Sequence, residues 1–144
     1  MGIEENEALV RKVFNETNKG NYDIIDECFA DDFIRTRPGS KVDRDGFKQF
    51  LLIMYKGFPD TERTIVDLIV TEDRAAIYFT WTGTHTGEFM GFPATGKKIR
   101  VKEVYFMRFK DGKISEYRQF GDTNSMRQQL GAEPPPEDSY WELD

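Results

Sequence analysis

The sequence predicts an α+β domain in which helices cover one face of a curved, mainly antiparallel sheet. Apolar residues recur at helical spacing through about residue 56, whereas residues 61–120 form β-branched and aromatic runs with two-residue alternation. Helices followed by a meander of strands are typical of this class. At 144 residues, with twelve Phe, six Tyr and two Trp, the chain is large enough for one packed core. We predict a single domain over residues 1–131 and an acidic, proline-rich tail over residues 132–144.

Three helices are predicted in the N-terminal part. The first spans residues 4–18 and ends at Lys19-Gly20. A short second helix has Asn21 or Asp23 as its cap, and its inward residues are Ile24, Ile25, Cys28 and Phe29. Asp43 is the predicted cap of the third helix, over residues 44–56, whose inward residues are Phe47, Phe50, Leu51 and Met54.

The strands follow from β-branched runs bounded by turn residues. Five are predicted: Phe33–Arg37, Thr61–Thr71, Ala75–Thr84, Ile99–Lys110 and Ser115–Phe120. A last helical turn, Ser125–Leu130, ends at Gly131. Because three helices cannot fill the concave side of a strongly bent sheet, we expect a pocket at one end.

Composition excludes several classes of function. The net charge of −6 argues against nucleic acid or an anionic membrane as partner. The sequence has no apolar run of about 20 residues and no basic N-terminal region, so neither a membrane span nor a signal peptide is predicted and the expected location is cytoplasmic. With one His and one Cys, the chain has no thiolate or imidazole cluster for zinc or haem, and Cys28 is predicted to be a small buried residue. No metal is expected.

A family resemblance rests on three segments: GTHTGEFMGFPATGK, YFMRFKDGKI and the terminal RQQLG. In this order of elements the chain resembles the SnoaL-like polyketide cyclases, which belong to the cone-shaped nuclear-transport-factor-2-like superfamily. The likeness covers essentially the whole chain. It implies three N-terminal helices packed on a strongly curved sheet that encloses a pocket, and ring closure by an intramolecular aldol reaction without cofactor or metal.

The resemblance also implies the positions of the site residues. In the family a Gln and a His on one strand hold polarised oxygens, and an Asp on the last strand is the acid/base. Aligned without gaps, these positions are Glu103, Tyr105 and Gln119 here, so the carboxylate has changed place. Gln119 cannot abstract a proton. Glu103 can, if burial raises its pKa toward neutrality, and it is the predicted base. The alternative is a buried Glu paired with Arg35, Arg37 or Arg118.

The turn at Asp111-Gly112 decides which residues face each other. A bulged turn pairs Phe109 with Lys113 and sets Glu103 opposite Gln119, whereas a two-residue turn pairs Lys110 with Lys113 and sets Glu103 opposite Phe120. The resemblance favours the bulged turn, because the aligned polar groups then share one cavity. We predict a pocket lined by Glu103, Tyr105, Tyr117 and Gln119. The tyrosines donate hydrogen bonds to an enolate or are core residues.

Four further residues have two interpretations each. His85 in the Gly-Thr-His-Thr-Gly loop is an acid/base or a structural loop residue. Asp122 lies at the pocket rim or caps the last helix. Arg35 and Arg37 share a strand face, where they meet carboxylates or an anionic ligand, or lie on an exposed sheet edge.

The favoured function is an enzyme that performs cofactor-free acid/base chemistry (aldol cyclisation, isomerisation or dehydration) on a small hydrophobic carbonyl compound. One alternative is a binding module that has lost catalysis, motivated by Gln119. Another is hydrolytic chemistry such as epoxide opening, for which Arg35, Arg37 and Asp122 are the available groups. Strands that are apolar on both faces, such as Ile65–Val70 and Ile77–Trp81, predict a homodimer formed through the outer face of the sheet.

Overall fold

The computed structural model describes residues 2–131, apart from the side chains at positions 123 and 124. A six-stranded sheet has the strand order β2-β1-β6-β5-β4-β3. The predicted α+β class is confirmed, and the predicted tail, residues 132–144, lies outside the described residues. The elements in chain order are α1 (Ile3–Asn18), α2 (Ile24–Cys28), β1 (Phe29–Arg37), β2 (Ser40–Asp43), α3 (Arg44–Gly57), β3 (Glu62–Val70), β4 (Arg74–Thr84), β5 (Lys98–Lys110), β6 (Lys113–Gly121) and α4 (Thr123–Gln129).

The helices pack one apolar face on the sheet. In α1 the buried side chains recur at helical spacing, from Val10 and Val13 to Phe14 and Thr17. Asp43 caps α3 as predicted, because its carboxylate accepts a hydrogen bond from the Gly46 N–H at 2.8 Å. The caps proposed for α2 do not form: Asp23 occupies the N-cap position without a side-chain hydrogen bond.

The N-terminal strands differ from the prediction. β1 begins at Phe29 instead of Phe33, so Phe29 is a strand residue. β1 pairs in parallel with β6, which places it inside the sheet. β2, Ser40–Asp43, was not predicted; it pairs antiparallel with β1 directly after the turn at Pro38-Gly39. Four residues without a continuous apolar pattern are too few for periodicity to reveal a strand.

The β5–β6 hairpin has a different register from the one predicted. Asp111 and Gly112 both have positive φ, 51° and 77°, and form a two-residue turn in which Lys110 pairs with Lys113. A bulge follows, so that Tyr105 lies opposite Gln119 and Glu103 opposite Gly121. The predicted pairing of Glu103 with Gln119 is therefore wrong by two residues. A shift of two keeps each side chain on its predicted face.

The outer face of the sheet carries exposed apolar side chains. Phe106 and Ile69 are 51% and 63% exposed, and the Phe106 and Phe120 rings meet edge to face at 6.2 Å between centroids. In the part of the chain that the structure describes, no helix is long and apolar enough to cross a membrane.

Candidate active site

A pocket of about 550 Å³ opens at one end of the sheet, between α3, the loop after β4, the ends of β5 and β6, and α4. Most of its wall is apolar and aromatic, and its polar side chains include Arg37, Glu103, Gln119 and Arg127. This volume and this mixture are typical of small-molecule sites. The apolar and aromatic lining consists of Pro38, Phe50, Met54, Trp81, Phe89, Met90, Phe92, Val101, Phe120 and Met126.

Glu103 is the one carboxylate among the described residues that line this pocket. Burial raises the pKa of the Glu103 carboxyl above the usual glutamate value. The charge of Arg63 and the amide of Gln119 act in the opposite direction but do not cancel this desolvation. No arginine among residues 2–131 lies within 4 Å of the Glu103 carboxylate as an ion-pair partner. The alternative of a Glu neutralised by a direct salt bridge is therefore not what the structure shows.

A chain of hydrogen bonds fixes the orientation of this carboxylate. Arg35 Nη1 donates to Gln119 Oε1 at 2.9 Å, and Gln119 Nε2 donates to Glu103 Oε1 at 3.0 Å. Because the guanidinium only donates, it sets which end of the Gln119 amide faces Glu103. Gln119 therefore supports the carboxylate, and it is itself unable to accept a proton at neutral pH.

Gly121 gives the Glu103 side chain its space. A Cβ at position 121 would lie 2.8 Å from Glu103 Oε1 and 2.9 Å from its Cγ. The residue paired with Glu103 across the strands is thus one that only glycine fits without moving the carboxylate.

The two tyrosines are core residues and do not line the pocket that holds Glu103. Their rings stack with centroids 4.3 Å apart, and they face a separate void of only about 10 Å³. That void is too small for any substrate. Burial raises the pKa of Tyr105 to about 12 and raises the pKa of Tyr117 well above its usual value. The prediction that both line one cavity with Glu103 and Gln119 is therefore wrong.

Arg35 is buried, with 1% of its surface exposed, because β1 lies inside the sheet and α3 covers it. The exposed-edge interpretation is wrong for this residue. Its guanidinium lies 5.1 Å from the centre of the Phe50 ring. Desolvation, followed by repulsion from Arg37, lowers the pKa of Arg35. Arg37 lines the pocket and lies 5.1 Å from the same ring.

The structure separates His85 and Asp122 from the pocket wall. His85 is fully buried, stacks on Phe58 at 5.1 Å, and has Nδ1 3.0 Å from Thr95 Oγ1. It is not among the residues that line the pocket. Asp122 is exposed and caps α4, accepting a hydrogen bond from the Ser125 N–H at 2.9 Å. Both positions agree with the structural interpretations of these residues. Among residues 2–131, no group of three or more His, Cys, Asp or Glu side chains is arranged to hold a metal ion.

The family model of the SnoaL-like polyketide cyclases matches residues 8–130. The chain belongs to the SnoaL-like polyketide cyclase family. The nogalonic acid methyl ester cyclase of Streptomyces nogalater is 28% identical over 128 residues, which are 86% of this chain and 95% of the relative. The aklanonic acid methyl ester cyclase DnrD of Streptomyces peucetius is 37% identical over 59 residues, 41% of this chain and 40% of that protein.

Solved structures agree with the family assignment. AclR, a candidate hydroxylase from Streptomyces galilaeus, superposes with a TM-score of 0.84 at 27% identity, covering 96% of this chain and 93% of that one. IdmH, a candidate polyketide cyclase from Streptomyces antibioticus, gives 0.78 at 28% identity over 88% and 98% of the two chains. The predicted fold and family resemblance are confirmed.

Sequence reasoning missed Arg63. This residue of β3 is buried, its Nε has no hydrogen-bond partner, and its Nη2 lies 3.5 Å from Met54 Sδ. It was detectable in principle, because Arg63 shares the inward alternation of Thr61 and Ile65 in a strand that a helix covers. The role of Gly121 depends on the hairpin register and could not be read from the sequence.

Proposed function

We propose that this protein is a cofactor-free cyclase in which Glu103 takes a proton from the carbon beside a carbonyl of a polyketide-like compound. The observation that carries the proposal is the position of Glu103. It is a desolvated carboxylate in the wall of an aromatic pocket, held by Gln119 and without a salt-bridge partner in residues 2–131. A carboxylate with a raised pKa is a better base near neutral pH than an ordinary glutamate.

The reaction conserves all atoms of the substrate. A Glu103 oxygen takes the α-proton, and the C–H electron pair moves into the carbonyl to form an enolate. The enolate carbon attacks a second carbonyl carbon of the same molecule, so that a C–C bond forms and the attacked oxygen becomes an alkoxide. The proton on Glu103 then passes to this alkoxide, which gives a cyclic hydroxyketone. Isomerisation and dehydration begin from the same enolate.

The charges around Glu103 suit an enolate. The positive charges of Arg63, Arg37 and Arg35 act on the Glu103 position and would act equally on a negative oxygen formed beside it. These side chains are held by packing before the reaction, so they need little reorganisation as charge develops.

Product analysis with purified protein tests the proposal. Nogalonic and aklanonic acid methyl esters are suitable substrates, because relatives of this chain are named for them. We expect Glu103→Gln to lower the rate of cyclic product formation by at least about 100-fold, the usual range for a lost acid/base. Glu116→Gln on the outer face is the matched control and should retain full activity. Equal rates in the Glu103→Gln variant and the wild type would refute the role of Glu103.

A binding module without catalysis is the second candidate. The observation that favours it is Gln119, which occupies the family's acid/base position and is hydrogen-bonded at both ends. Under this alternative the esters bind without exchanging their α-proton for deuterium in D₂O. Exchange that requires Glu103 would exclude it.

We further propose a cytoplasmic homodimer that buries the outer face of the sheet. The exposed Phe106 and Ile69 support this surface, because large apolar side chains clustered at a sheet face are typical of interfaces. Light scattering should give the mass of two chains.

A further inference from the structure

The strand β5 extends beyond its neighbour β6 at the pocket end of the sheet. β6 ends at Gly121, opposite Glu103, whereas β5 begins at Lys98. Residues 98–102 therefore pair with β4 on one side and have no strand partner on the other. Backbone N–H and C=O groups on an unpaired strand edge need another hydrogen-bond partner or water.

The side chain of Gln129, the last residue of α4, takes the place of the missing strand. The Arg100 N–H donates to Gln129 Oε1 at 2.7 Å, and Gln129 Nε2 donates to the Arg100 C=O at 2.8 Å. A primary amide offers both an acceptor and donors, so it can imitate a backbone peptide group. Gln129 Nε2 also donates to Ser125 Oγ at 2.8 Å, one turn earlier in the helix. One side-chain amide thus joins α4 to the edge of the sheet.

The other attachments of α4 are mainly apolar. Leu130, directly after the helix, is buried, and Met126 is partly buried against the core. The Asp122 cap lies within the first turn of the helix itself and does not tie it to the sheet. Within residues 2–131 no arginine of α4 takes part in an ion pair. Glycines at positions 121 and 131 flank the helix, and the second has a φ of 89°.

α4 forms the pocket wall beside this sheet edge. Met126 and Arg127 line the pocket together with Glu103 and Trp81. Trp81 is only 3% exposed, so little solvent reaches this part of the wall while α4 is in place. A movement of α4 away from Arg100 would widen the pocket without breaking any backbone pair between the strands.

We propose that α4 is a gate of the Glu103 pocket and that Gln129 is the positioning residue that holds the gate closed. Rotation of one side chain releases the hydrogen bonds to Arg100, and water can replace them, so their net contribution is modest. Movements of such elements control the entry of substrates and the release of products in many enzymes. The inference rests on the proposed function only in taking this pocket as the substrate site.

Acrylamide quenching of Trp81 fluorescence tests the gate without a ligand. The chain has two tryptophans, so Trp141→Phe leaves Trp81 as the only one. In this background we expect Gln129→Ala to raise the quenching rate constant at least about threefold, because the loss of two hydrogen bonds favours the open gate. Gln128→Ala, at an exposed position of the same helix, is the matched control and should quench as the wild type does. Equal quenching in Gln129→Ala and the wild type would overturn the proposal.

Hydrogen–deuterium exchange shows whether the effect is confined to the gate. The Met126 and Leu130 N–H groups donate within α4 and its end, and we expect them to exchange about tenfold faster in Gln129→Ala. The amides of β4 should exchange as in the wild type. Faster exchange throughout the sheet would mean that Gln129 supports the whole fold, and this result would also overturn the proposal.

Binding kinetics connect the gate to the site. Gln129→Ala should raise both the association and the dissociation rate constants of nogalonic acid methyl ester by about tenfold, because a gate limits both directions. Unchanged rate constants for an ester that binds would contradict the gate. Quenching and exchange that depend on Gln129, combined with no binding or turnover of the ester, would refute the cyclase proposal and leave the gate intact. Turnover that requires Glu103, with quenching unchanged in Gln129→Ala, would do the reverse.

Discussion

Gly121→Ala should misplace the carboxylate of Glu103, the proposed base, while leaving the fold intact. The new methyl group would lie 2.9 Å from Glu103 Cγ, whereas carbon atoms pack at about 3.5 Å or more. The side chain must therefore move by about 0.6 Å, the difference between these distances. If the Glu103 carboxylate moves by this distance along the direction of its hydrogen bond with Gln119, the 3.0 Å hydrogen bond lengthens to about 3.6 Å, beyond hydrogen-bond range.

The expected consequences differ for activity and stability. A misplacement of about 1 Å can cost about 100-fold in rate, so we expect a fall of at least about tenfold in kcat. The lost hydrogen bond costs about 0.5–1.5 kcal/mol of unfolding free energy, and replacing glycine by alanine restores about 0.4–1 kcal/mol through the unfolded chain. The free energy of unfolding should therefore change by about 1 kcal/mol or less. Initial rates of ester cyclisation and urea denaturation measure the two effects.

A double-mutant cycle supplies the control. With Glu103→Ala already present there is no side chain for the methyl group to displace, and Gly121 does not have positive φ. Gly121→Ala should then be neutral or slightly stabilising. Two results would refute this account of the site. One is a Gly121→Ala variant of the wild type that retains full kcat, and the other is an equal loss of unfolding free energy from Gly121→Ala in the wild type and in Glu103→Ala.

Three further predictions concern stability and assembly. Burial raises the pKa of Glu103, so this residue binds more protons in the native chain than in the unfolded chain between the ordinary glutamate pKa, about 4.3, and the raised native value, and stability falls as pH rises through that window. Glu103→Gln should remove this loss, so that its urea midpoint exceeds that of the wild type at pH 8 but not at pH 4. A difference in midpoint that does not depend on pH would contradict this prediction. Arg35→Met removes a buried charge and releases the Gln119 amide, so it should change stability little or raise it while lowering kcat; global unfolding of the variant would count against this. Phe106→Glu places a charge in the predicted interface and should give a monomer in light scattering at micromolar concentration, whereas a dimer with unchanged affinity would move the interface elsewhere.

The fold was predictable because its elements carry strong local patterns. The capped α3 helix and the long strands β4 and β5 each repeat their apolar residues at one clear period, and the structure places them within a residue or two of the expected bounds. The short β2 strand has no such pattern. The β5–β6 register was predicted wrongly. The hairpin has both a two-residue turn at Asp111-Gly112 and a separate bulge, and the sequence did not specify this combination.

The site was predictable in part for the same reason. Alternation along β5 and β6 placed Glu103 and Gln119 on the inner face, and the register error of two residues does not change this. The structure brings the two side chains into contact. Which inward residues reach the pocket depends on depth along the sheet, and this separates Glu103 from Tyr105 two residues away. The charge of Arg63 acts on Glu103 from β3, a strand that is distant from β5 in sequence. Only tertiary structure supplies these relations.

The most direct test of the central claim is the rate of α-proton exchange into D₂O, measured by NMR against pH with a bound ester. The base must be ionised, so the wild-type rate should rise with pH, reach half its maximum at the pKa of Glu103 and level off above it. This pKa should be higher than the ordinary glutamate value. Glu103→Gln should bind the ester and lose exchange at every pH. Exchange in Glu103→Gln at the wild-type rate would contradict the claim that this carboxylate is the base.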